Sequence, residues 1–299
     1  MGSLNVDLVV GLERMPDSGE TVFGHRLEQH PGGKGLNQAV AAARLEVPVS
    51  MVGAAGSDAS GEWLRGVVTA EGIDDSAVEV RPGPSGTALI EVDATGANRI
   101  IVVPGSNGLV TAEQVDAAIR SLSDVAVVLT QGEVPPDAVA AAMAAGRAVG
   151  AITMLNPAPA FAYPAAVLAD CDYVIPNEHE AALLTGLDAA TTVAASEAAR
   201  RLVDLGARCA IVTRGARGSV WATVESSGSC GAMSVTAIDT VAAGDAFCGA
   251  LAAALAEGHA FVTALRWASA AGALATTVAG AVPSLPRRAE VEALMDARD

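Results

Sequence analysis

Aromatic and basic residues are scarce in this chain of 299 residues. Phe, Trp and Tyr make up 3% of the sequence, and 18 Lys and Arg residues stand against 34 Asp and Glu residues, giving a formal net charge of −16. So few rings leave little for stacking on nucleobases, and so acidic a chain is repelled by nucleic acid and by anionic membranes. We therefore expect no nucleic-acid partner and no membrane partner.

Cysteine is also rare, and long apolar runs are missing. The four cysteines are dispersed with no paired spacing, which favours reduced thiols over disulfides or a zinc site. The longest apolar stretches, residues 246–256 and 267–282, are too short or too interrupted by Ser and Thr to span a bilayer. No signal peptide opens the chain. These features predict a cytoplasmic protein.

Strand-like and helix-like segments alternate along most of the chain. Val125–Leu129 reads as a buried strand, for example, and Pro135 and Pro136 then open a helix that runs through Ala145. Alternation of this kind predicts a mostly parallel sheet with helices on both faces. Because we find no internal repeat or linker, we expect residues 1–299 to form one α/β domain.

Two β-rich runs, Thr87–Val92 and Arg99–Val103, depart from this alternation. The turn-forming segment Asp93–Asn98 joins them, which is typical of a β-hairpin. A further short strand is predicted at Thr21–Phe23, ahead of a glycine-rich turn. These segments are candidates for a small sheet beside the main one.

An aspartate stands at the start of a predicted helix in the last third of the chain. The β-branched run Ser234–Ile238 predicts a strand, a turn of small residues follows, and Asp245 precedes the apolar run 246–256. Asp245 could cap the helix, or it could take a proton from a group that attacks a bound anion. This stretch alone leaves both interpretations open. The anion would be held by unpaired backbone N–H groups at the positive end of the helix dipole, those of Ala242, Ala243 and Gly244.

A second glycine-rich stretch, Pro31–Gln38, precedes an alanine-rich helix. Its paired glycines allow a ligand to touch the backbone, Lys34 supplies a positive charge, and Asn37 can both donate and accept hydrogen bonds. It is not a Walker loop, because no Ser or Thr follows the lysine. Alone, such a stretch is often only a turn.

Together the two stretches resemble the two signatures of the ribokinase-like (PfkB-type) carbohydrate kinases. The resemblance extends in the same order from the first residues to beyond Ser284, through Gly2–Asp7, Leu155–Ala160, Ile175–Glu178 and Gly280–Ser284. In the family a buried strand precedes the first of these segments. Here Met1 alone precedes Gly2, so we expect the centre of the sheet to be affected.

The resemblance implies an α/β fold of three layers, with a mostly parallel central sheet and a small β-sheet lid. About residues 8–30 and 86–103 would contribute this lid, which would cover the sugar and exclude water. In the family the lid is also a common dimer surface, so the resemblance implies a homodimer.

The resemblance also assigns the reaction and its groups. It implies phosphorylation of D-ribose at the 5-hydroxyl by ATP, with Asp245 as the base. The amides of Ala242, Ala243 and Gly244 would stabilise charge on the phosphates. Sugar recognition would fall to Asn5, Asp7, Gly33, Lys34, Asn37 and Glu133, together with Asp245.

The same resemblance implies a nucleotide site and cation sites. Two parts of the nucleotide site have a plainer interpretation: Asn177 could equally be an ordinary helix cap, and the segment 213–218 could be an ordinary hairpin turn. Mg²⁺ would arrive with ATP, and K⁺ would act as an activating cation held by oxygen ligands. The ATP residues would be Asn177, Glu180, Thr213, Gly215, Gly218 and Ser269. The K⁺ ligands would be the Asp239 side chain, the carbonyls of Val241, Ala275, Val278 and Gly280, and Ser284.

Other functions remain open at this point. A different sugar or a nucleoside could be the acceptor, although nucleoside kinases favour aromatic residues and Phe23 is the only one in the predicted lid. A phosphorylated sugar would need more basic residues than the nearby Arg26. A sugar-binding relative without catalysis is disfavoured by Asp245. A dinucleotide-dependent oxidoreductase is disfavoured because no Gly-x-Gly-x-x-Gly opens a helix after an N-terminal strand.

Overall fold

A computed structural model describes residues 1–297 of the chain. Strands and helices alternate through most of it, as the sequence predicts. The strands are β1 (Asn5–Leu12), β2 (Gly24–Gly32), β3 (Ser50–Gly56), β4 (Asp74–Arg81), β5 (Gly86–Val92), β6 (Asn98–Val103), β7 (Val127–Gln131), β8 (Ile152–Asn156), β9 (Tyr173–Val174), β10 (Cys209–Thr213), β11 (Ser219–Thr223) and β12 (Ser227–Cys230).

The helices connect and cover these strands. They are α1 (Lys34–Ala43), α2 (Ala59–Ala70), α3 (Ala112–Ser121), α4 (Pro136–Ala148), α5 (Ala165–Ala169), α6 (Glu178–Thr185), α7 (Thr192–Asp204), α8 (Ala243–Ala256), α9 (Phe261–Ala275) and α10 (Arg288–Asp296).

The largest sheet has six strands in the order β12-β11-β10-β9-β8-β7. Strands β7 to β10 are parallel, and β11 and β12 run antiparallel at one edge. Two hydrophobic clusters lie on its two faces, one built with α1, α8 and α9 and the other with α3, α4 and α7. Helices therefore cover both faces, and the predicted α/β class with three layers is confirmed.

A second sheet of four strands has the order β2-β1-β5-β6. The predicted hairpin is present, since β5 pairs with β6 in antiparallel register from Thr87 opposite Val103 to Val92 opposite Asn98. The predicted strand at Thr21–Phe23 is wrong. The strand begins instead at Gly24, because its pairing with β1 starts where Gly24 lies opposite Leu12.

Strands β3 and β4 form a separate parallel pair. A cavity of about 620 Å³ lies between residues 47–52, which lead into β3, and residues 122–129, which lead into β7. The N–H of Gly2 donates at 3.0 Å to the carbonyl of Val52, a residue that lines this cavity. The centre of the molecule is therefore not one continuous sheet.

The predicted strand at Ser234–Ile238 is also wrong, and this segment is irregular. Strand β12 already pairs with β11 at that edge of the six-stranded sheet. Ile238 instead donates its N–H to the carbonyl of Thr276, at 2.7 Å. This bond places the start of α8 beside the loop that follows α9.

Within residues 1–297, no helix is both long and apolar enough to cross a membrane. The four cysteines are free, and three of them are buried. The expectation of unpaired thiols is confirmed.

Candidate active site

The glycine-rich stretch Pro31–Gln38 forms the junction between β2 and α1. Gly33 has φ of 91°, and a Cβ built there would lie 2.8 Å from the backbone nitrogen of Asn5. A Cβ on Gly35 would lie 2.4 Å from the backbone nitrogen of Ser3. Only glycine fits at these two positions. The start of α1 therefore packs directly on the segment that leads into β1.

The turn of small residues before Asp245 forms the N-terminus of α8. Ala242 precedes the helix with φ of 59°, a left-handed conformation that is costly for a residue other than glycine. The N–H of Ala243 donates to the carbonyl of Thr240 at 3.3 Å, whereas those of Ala242 and Gly244 have no acceptor among residues 1–297. These two amides are available for an anion at the positive end of the helix.

Asp245 lies in the first turn of α8 and is 5% exposed. Its Oδ2 accepts from Asn37 Nδ2 at 3.0 Å, and its Oδ1 accepts from Gln38 Nε2 at 2.9 Å. The carboxylate therefore bonds to α1 rather than to the first turn of its own helix. This geometry excludes the interpretation of Asp245 as a helix cap.

Glu133, after the end of β7, connects the site to the N-terminal segment. Its Oε2 accepts from Ser3 Oγ at 2.5 Å, from the N–H of Lys34 at 3.0 Å and from Asn5 Nδ2 at 3.4 Å. Asn5 and Lys34, two of the predicted sugar residues, are thus hydrogen-bonded to a third, Glu133.

Three further charges face the same space. The negative charge of Asp245 raises the pKa of Lys34, against the opposing effect of burial, and Glu133 and Glu180 add to the rise. Burial raises the pKa of Asp7 to about 7, and the charges of Glu133 and Asp245 raise it further against Lys34. Lys34 is therefore cationic, and Asp7 changes charge near neutral pH.

The side-chain carbonyl oxygen of Asn37 is available to accept a hydrogen bond from a ligand. Its Oδ1 is buried and has no hydrogen-bond partner among the described residues. A buried acceptor without a partner is unfavourable, so a ligand hydroxyl that donates to it would be stabilised. The structure thus brings together all the predicted sugar residues: Asn5, Asp7, Gly33, Lys34, Asn37, Glu133 and Asp245.

The predicted nucleotide residues lie around the ends of β10 and α6. Asn177 and Glu180 form a reciprocal capping box at the start of α6, with both bonds at 2.8 Å. The capping interpretation of Asn177 is therefore present in the structure. Burial raises the pKa of Glu180, and the opposing charge of Lys34 shows that this carboxylate also faces the site.

The glycine-containing segment after β10 is held by ion pairs. The backbone of Thr213 also forms a single parallel β-bridge with that of Asn177. Arg214 and Arg217 both pair with Glu178, at 3.2 and 2.6 Å. A Cβ on Gly218 would lie 2.1 Å from the carbonyl oxygen of Cys230.

Ser269 lies on α9, where its Oγ is 3.4 Å from Cys230 Sγ. The other residue of this set, Gly215, starts a 3₁₀ turn.

The predicted cation residues lie in two adjacent loops. Asp239 accepts from the N–H of Val241 at 3.0 Å and from the N–H of Gly280 at 2.9 Å. Ser284 donates its hydroxyl to the carbonyl of Ala281 at 2.8 Å. The two loops are thus joined by Asp239. The remaining predicted ligands follow α9 or end it: Ala275 is buried and Val278 is exposed.

Sequence reasoning missed several polar residues that hold the site. Gln38 was visible beside Asn37, and Asn156 within Leu155–Ala160, but neither received a role. Both contact one another, since Gln38 Nε2 donates to Asn156 Oδ1 at 3.0 Å. Asn107 donates to Asn5 Oδ1 at 2.7 Å, and no signal in the sequence pointed to it.

The profile of the pfkB family carbohydrate kinases matches residues 1–288. This chain belongs to that family. The family expected from the two glycine-rich stretches is confirmed, and with it the expectation of an ATP-dependent sugar kinase. Ribokinase from Schizosaccharomyces pombe is 36% identical over 98% of this chain and 95% of its own length. Ribokinase from Bacillus subtilis is 37% identical over 99% of this chain and 98% of its own.

Solved structures agree with this assignment. Ribokinase from Thermotoga maritima superposes with a TM-score of 0.90 at 33% identity, covering 99% of this chain and 97% of its own. Ribokinase from Arabidopsis thaliana, solved in complex with ribose and ATP, gives 0.87 at 31% identity over 98% of this chain and 96% of its own. The fold of the chain is therefore that of the sugar kinases in this family.

Proposed function

We propose that this chain transfers the γ-phosphoryl group of ATP to the 5-hydroxyl of D-ribose. The observation that carries the proposal is Asp245, a buried carboxylate held by two amides at the N-terminus of α8. A base in this place is next to unpaired backbone N–H groups that can hold a phosphate. The ribokinases of comparable length and the Arabidopsis complex with ribose and ATP support the choice of acceptor.

In the proposed reaction, Asp245 accepts the proton of the sugar hydroxyl as its oxygen bonds to the γ-phosphorus. The bond from phosphorus to the bridging oxygen breaks, and ADP leaves with that electron pair. The amides of Ala242 and Gly244, together with that of Ala243 once it leaves its 3.3 Å bond to the carbonyl of Thr240, stabilise the negative charge on the phosphates. Lys34 adds a positive charge. Positioning of the two reactants and electrostatic stabilisation of the transferred group together supply most of the rate enhancement in such a transfer.

Recognition of the sugar rests on the carboxylate and amide groups that face the site. Asp7 and Glu133 can each accept from neighbouring hydroxyls, and Asn37 Oδ1 has no partner within residues 1–297. A sugar without those hydroxyls would leave buried polar groups unpaired, which penalises it. The ligands we propose are Asn5, Asp7, Gly33, Lys34, Asn37, Glu133 and Asp245.

ATP would lie over the end of β10, between α6 and α9. Thr213, Gly215 and Gly218 would line its phosphates and sugar, and Ser269 would lie near the base. Oxygen donors suit Mg²⁺, and the carboxylate of Glu180 faces the site beside Lys34, so this residue fits a role in holding the ion through water. The metal, once bound with ATP, neutralises charge on the β- and γ-phosphates.

A monovalent cation would bind between the loops joined by Asp239. The donors proposed are all oxygens, which suits a hard ion such as K⁺. The site lies directly before the anion-binding turn of α8, so the ion would set the shape of that turn. The ligands we propose are Asp239, Val241, Ala275, Val278, Gly280 and Ser284.

The four-stranded sheet is proposed to act as the lid and as the surface of a homodimer. Strand β6 exposes the apolar side chains of Ile100–Val103, each at least 44% accessible. Leu27 on β2 is also exposed. Apolar residues exposed in a contiguous group mark an interaction surface. We further propose a cytoplasmic location, which the four free thiols support.

The test is release of ADP with Mg-ATP and K⁺ on D-ribose, 2-deoxyribose, fructose 6-phosphate and adenosine, with Asp245→Asn in parallel. We expect ribose to have the highest kcat/KM, and the variant to lose about 10²–10⁴-fold in kcat with its ribose affinity retained. Asp137→Asn, at the start of α4, is the matched control. A different preferred acceptor would overturn the ribose assignment, and a variant of normal kcat would overturn the role of Asp245.

A further inference from the structure

A hydrogen-bond network of buried amide side chains ends on the carboxylate of Asp245. Gln38 Nε2 donates to Asp245 Oδ1 at 2.9 Å and to Asn156 Oδ1 at 3.0 Å. Gln131 Nε2 donates to Gln38 Oε1 at 2.7 Å. Gln38 and Gln131 are each 1% exposed. Hydrogen bonds of this length between buried groups fix the side chains that make them.

The direction of each bond in this network is set by the backbone. Asn156 Nδ2 donates to the carbonyl oxygen of Ile175 at 2.8 Å, and a carbonyl can only accept. The Oδ1 of Asn156 must therefore face Gln38, and only the NH₂ group of Gln38 can donate to it. The same NH₂ group carries a second hydrogen, which points at Asp245. Gln38 is thus held as a donor toward the carboxylate.

Gln38 has no donor left for a substrate. Both hydrogens of its NH₂ group are used, and its Oε1 already accepts from Gln131. Asn37 differs, because it gives one hydrogen bond to Asp245 and keeps its Oδ1 free for a ligand. Both amides therefore bind the carboxylate of Asp245, but only Asn37 keeps a polar atom for a ligand, whereas all polar atoms of Gln38 are used within the protein.

We propose that Gln38 is a positioning residue for Asp245, whose carboxylate it holds aimed at the reacting hydroxyl. This inference rests on the proposed function, in which Asp245 is the base. A carboxylate that accepts two hydrogen bonds from fixed donors is held in one orientation, so its remaining lone pairs point in fixed directions. Gln131 and Asn156 support the orientation of Gln38 through their own hydrogen bonds to it.

The other groups that face Asp245 come from four elements. Lys34 on α1 is the cation, Asp7 on β1 and Glu180 on α6 are carboxylates, and Cys248 on α8 is a buried thiol. Burial keeps the pKa of Cys248 well above its ordinary value, so this thiol is neutral. A new negative charge at position 38 would add to the two carboxylates.

Two substitutions at Gln38 separate positioning from packing. Gln38→Met keeps the length of the side chain and removes the donor, and we expect kcat to fall about 10–100-fold, the range for a hydrogen bond to a charged group, with KM for ribose within about twofold. Gln38→Glu places a carboxylate against Asp245, and we expect the acid limb of the kcat–pH profile to move up by about one unit or more.

The controls are Val193→Met and Val193→Glu on α7, which place the same side chains at an exposed position far from the lid and should leave the pH profile unchanged. Gln131→Met releases Gln38 from one partner and should lower kcat in the same direction by less. Circular dichroism shows whether the Gln38 variants fold. If they do not, Gln131→Met tests the same inference through its expected fall in kcat.

The inference is overturned if folded Gln38 variants keep the wild-type kcat and pH profile while Asp245→Asn is inactive. It is also overturned if kcat falls with no shift of the profile in Gln38→Glu, which a purely structural role predicts. If Asp245→Asn itself keeps its kcat, the proposed function fails first. The two failures are thus distinguishable.

Discussion

The backbone N–H of Lys34 donates to Glu133 Oε2 at 3.0 Å, which joins the start of α1 to the end of β7. The same oxygen accepts from Ser3 Oγ and Asn5 Nδ2. One carboxylate therefore fixes three segments that surround the sugar site. Its second oxygen, Oε1, makes none of these bonds.

Removal of the Glu133 carboxylate is expected to affect both stability and sugar binding. In Glu133→Leu the donors of Ser3 and Lys34 lose their acceptor, and the free energy of unfolding should fall by about 2 kcal/mol. The KM for ribose should rise about tenfold, because Lys34 and Asn5 are no longer held in place. Urea unfolding and steady-state kinetics measure the two effects. Glu62→Leu on the exposed face of α2 is the control, and an unchanged unfolding curve would contradict the prediction.

The affinity for ribose is expected to depend on pH through Asp7. Burial raises the pKa of this carboxyl to about 7 in the free protein, with further contributions from Glu133 and Asp245. Sugar hydroxyls donate to an ionised carboxylate and so favour its charged form. Binding should release a proton, and Kd should fall about tenfold from pH 6 to pH 8.

Calorimetry in buffers of different ionisation enthalpy measures both the affinity and the released proton. In Asp7→Asn the affinity should be weaker and independent of pH in this range. The sign for stability is the reverse. A carboxyl whose pKa is raised on folding stabilises the free protein below its ordinary pKa of 3.8, and this contribution is lost as the pH rises through about 7. A ribose Kd that is constant from pH 6 to pH 8 would rule out the role of Asp7.

Much of the site could be predicted because glycine and a helix start constrain the backbone locally. Gly33 and Gly35 are needed where α1 approaches residues 3–5, and the pattern of the sequence carries that need. Asp245 likewise stands where a strand-like run gives way to an apolar helix. Such signals depend on a few neighbouring residues.

What the sequence did not reveal depends on distant contacts. Gln38 and Asp245 are 207 positions apart, so only the tertiary fold shows that one holds the other. Ser234–Ile238 has the residues of a strand, yet it finds no free strand edge because β12 already pairs with β11. Propensity alone does not determine which segment obtains an edge.

Potassium is expected to activate the enzyme through the loops that Asp239 joins. We expect kcat/KM for ATP to be higher in KCl than in tetramethylammonium chloride at equal ionic strength. In Asp239→Asn one anionic ligand is lost, along with the acceptor of the N–H of Gly280. The K⁺ concentration that gives half of full activation should then rise at least about tenfold, the effect of about 1.4 kcal/mol.

The control for the cation is Asp116→Asn on α3, where the aspartate pairs with Arg120 on the exposed face. Its K⁺ dependence should match that of the unchanged protein. Equal activity in both chlorides would show that the loops hold no activating ion.

Replacement of one apolar residue on β6 by a charge is expected to break the proposed dimer. Ile101 is 56% exposed on a strand whose side chains are accessible on both faces. In Ile101→Lys an ammonium group would be buried at the contact without a partner, and the dissociation constant of the dimer should rise at least about 100-fold. Light scattering after size exclusion should give twice the chain mass for the unchanged protein and for Val193→Lys on α7, and a single chain mass for Ile101→Lys. A monomer in all three samples would refute the dimer, and a dimer in all three would place the contact elsewhere.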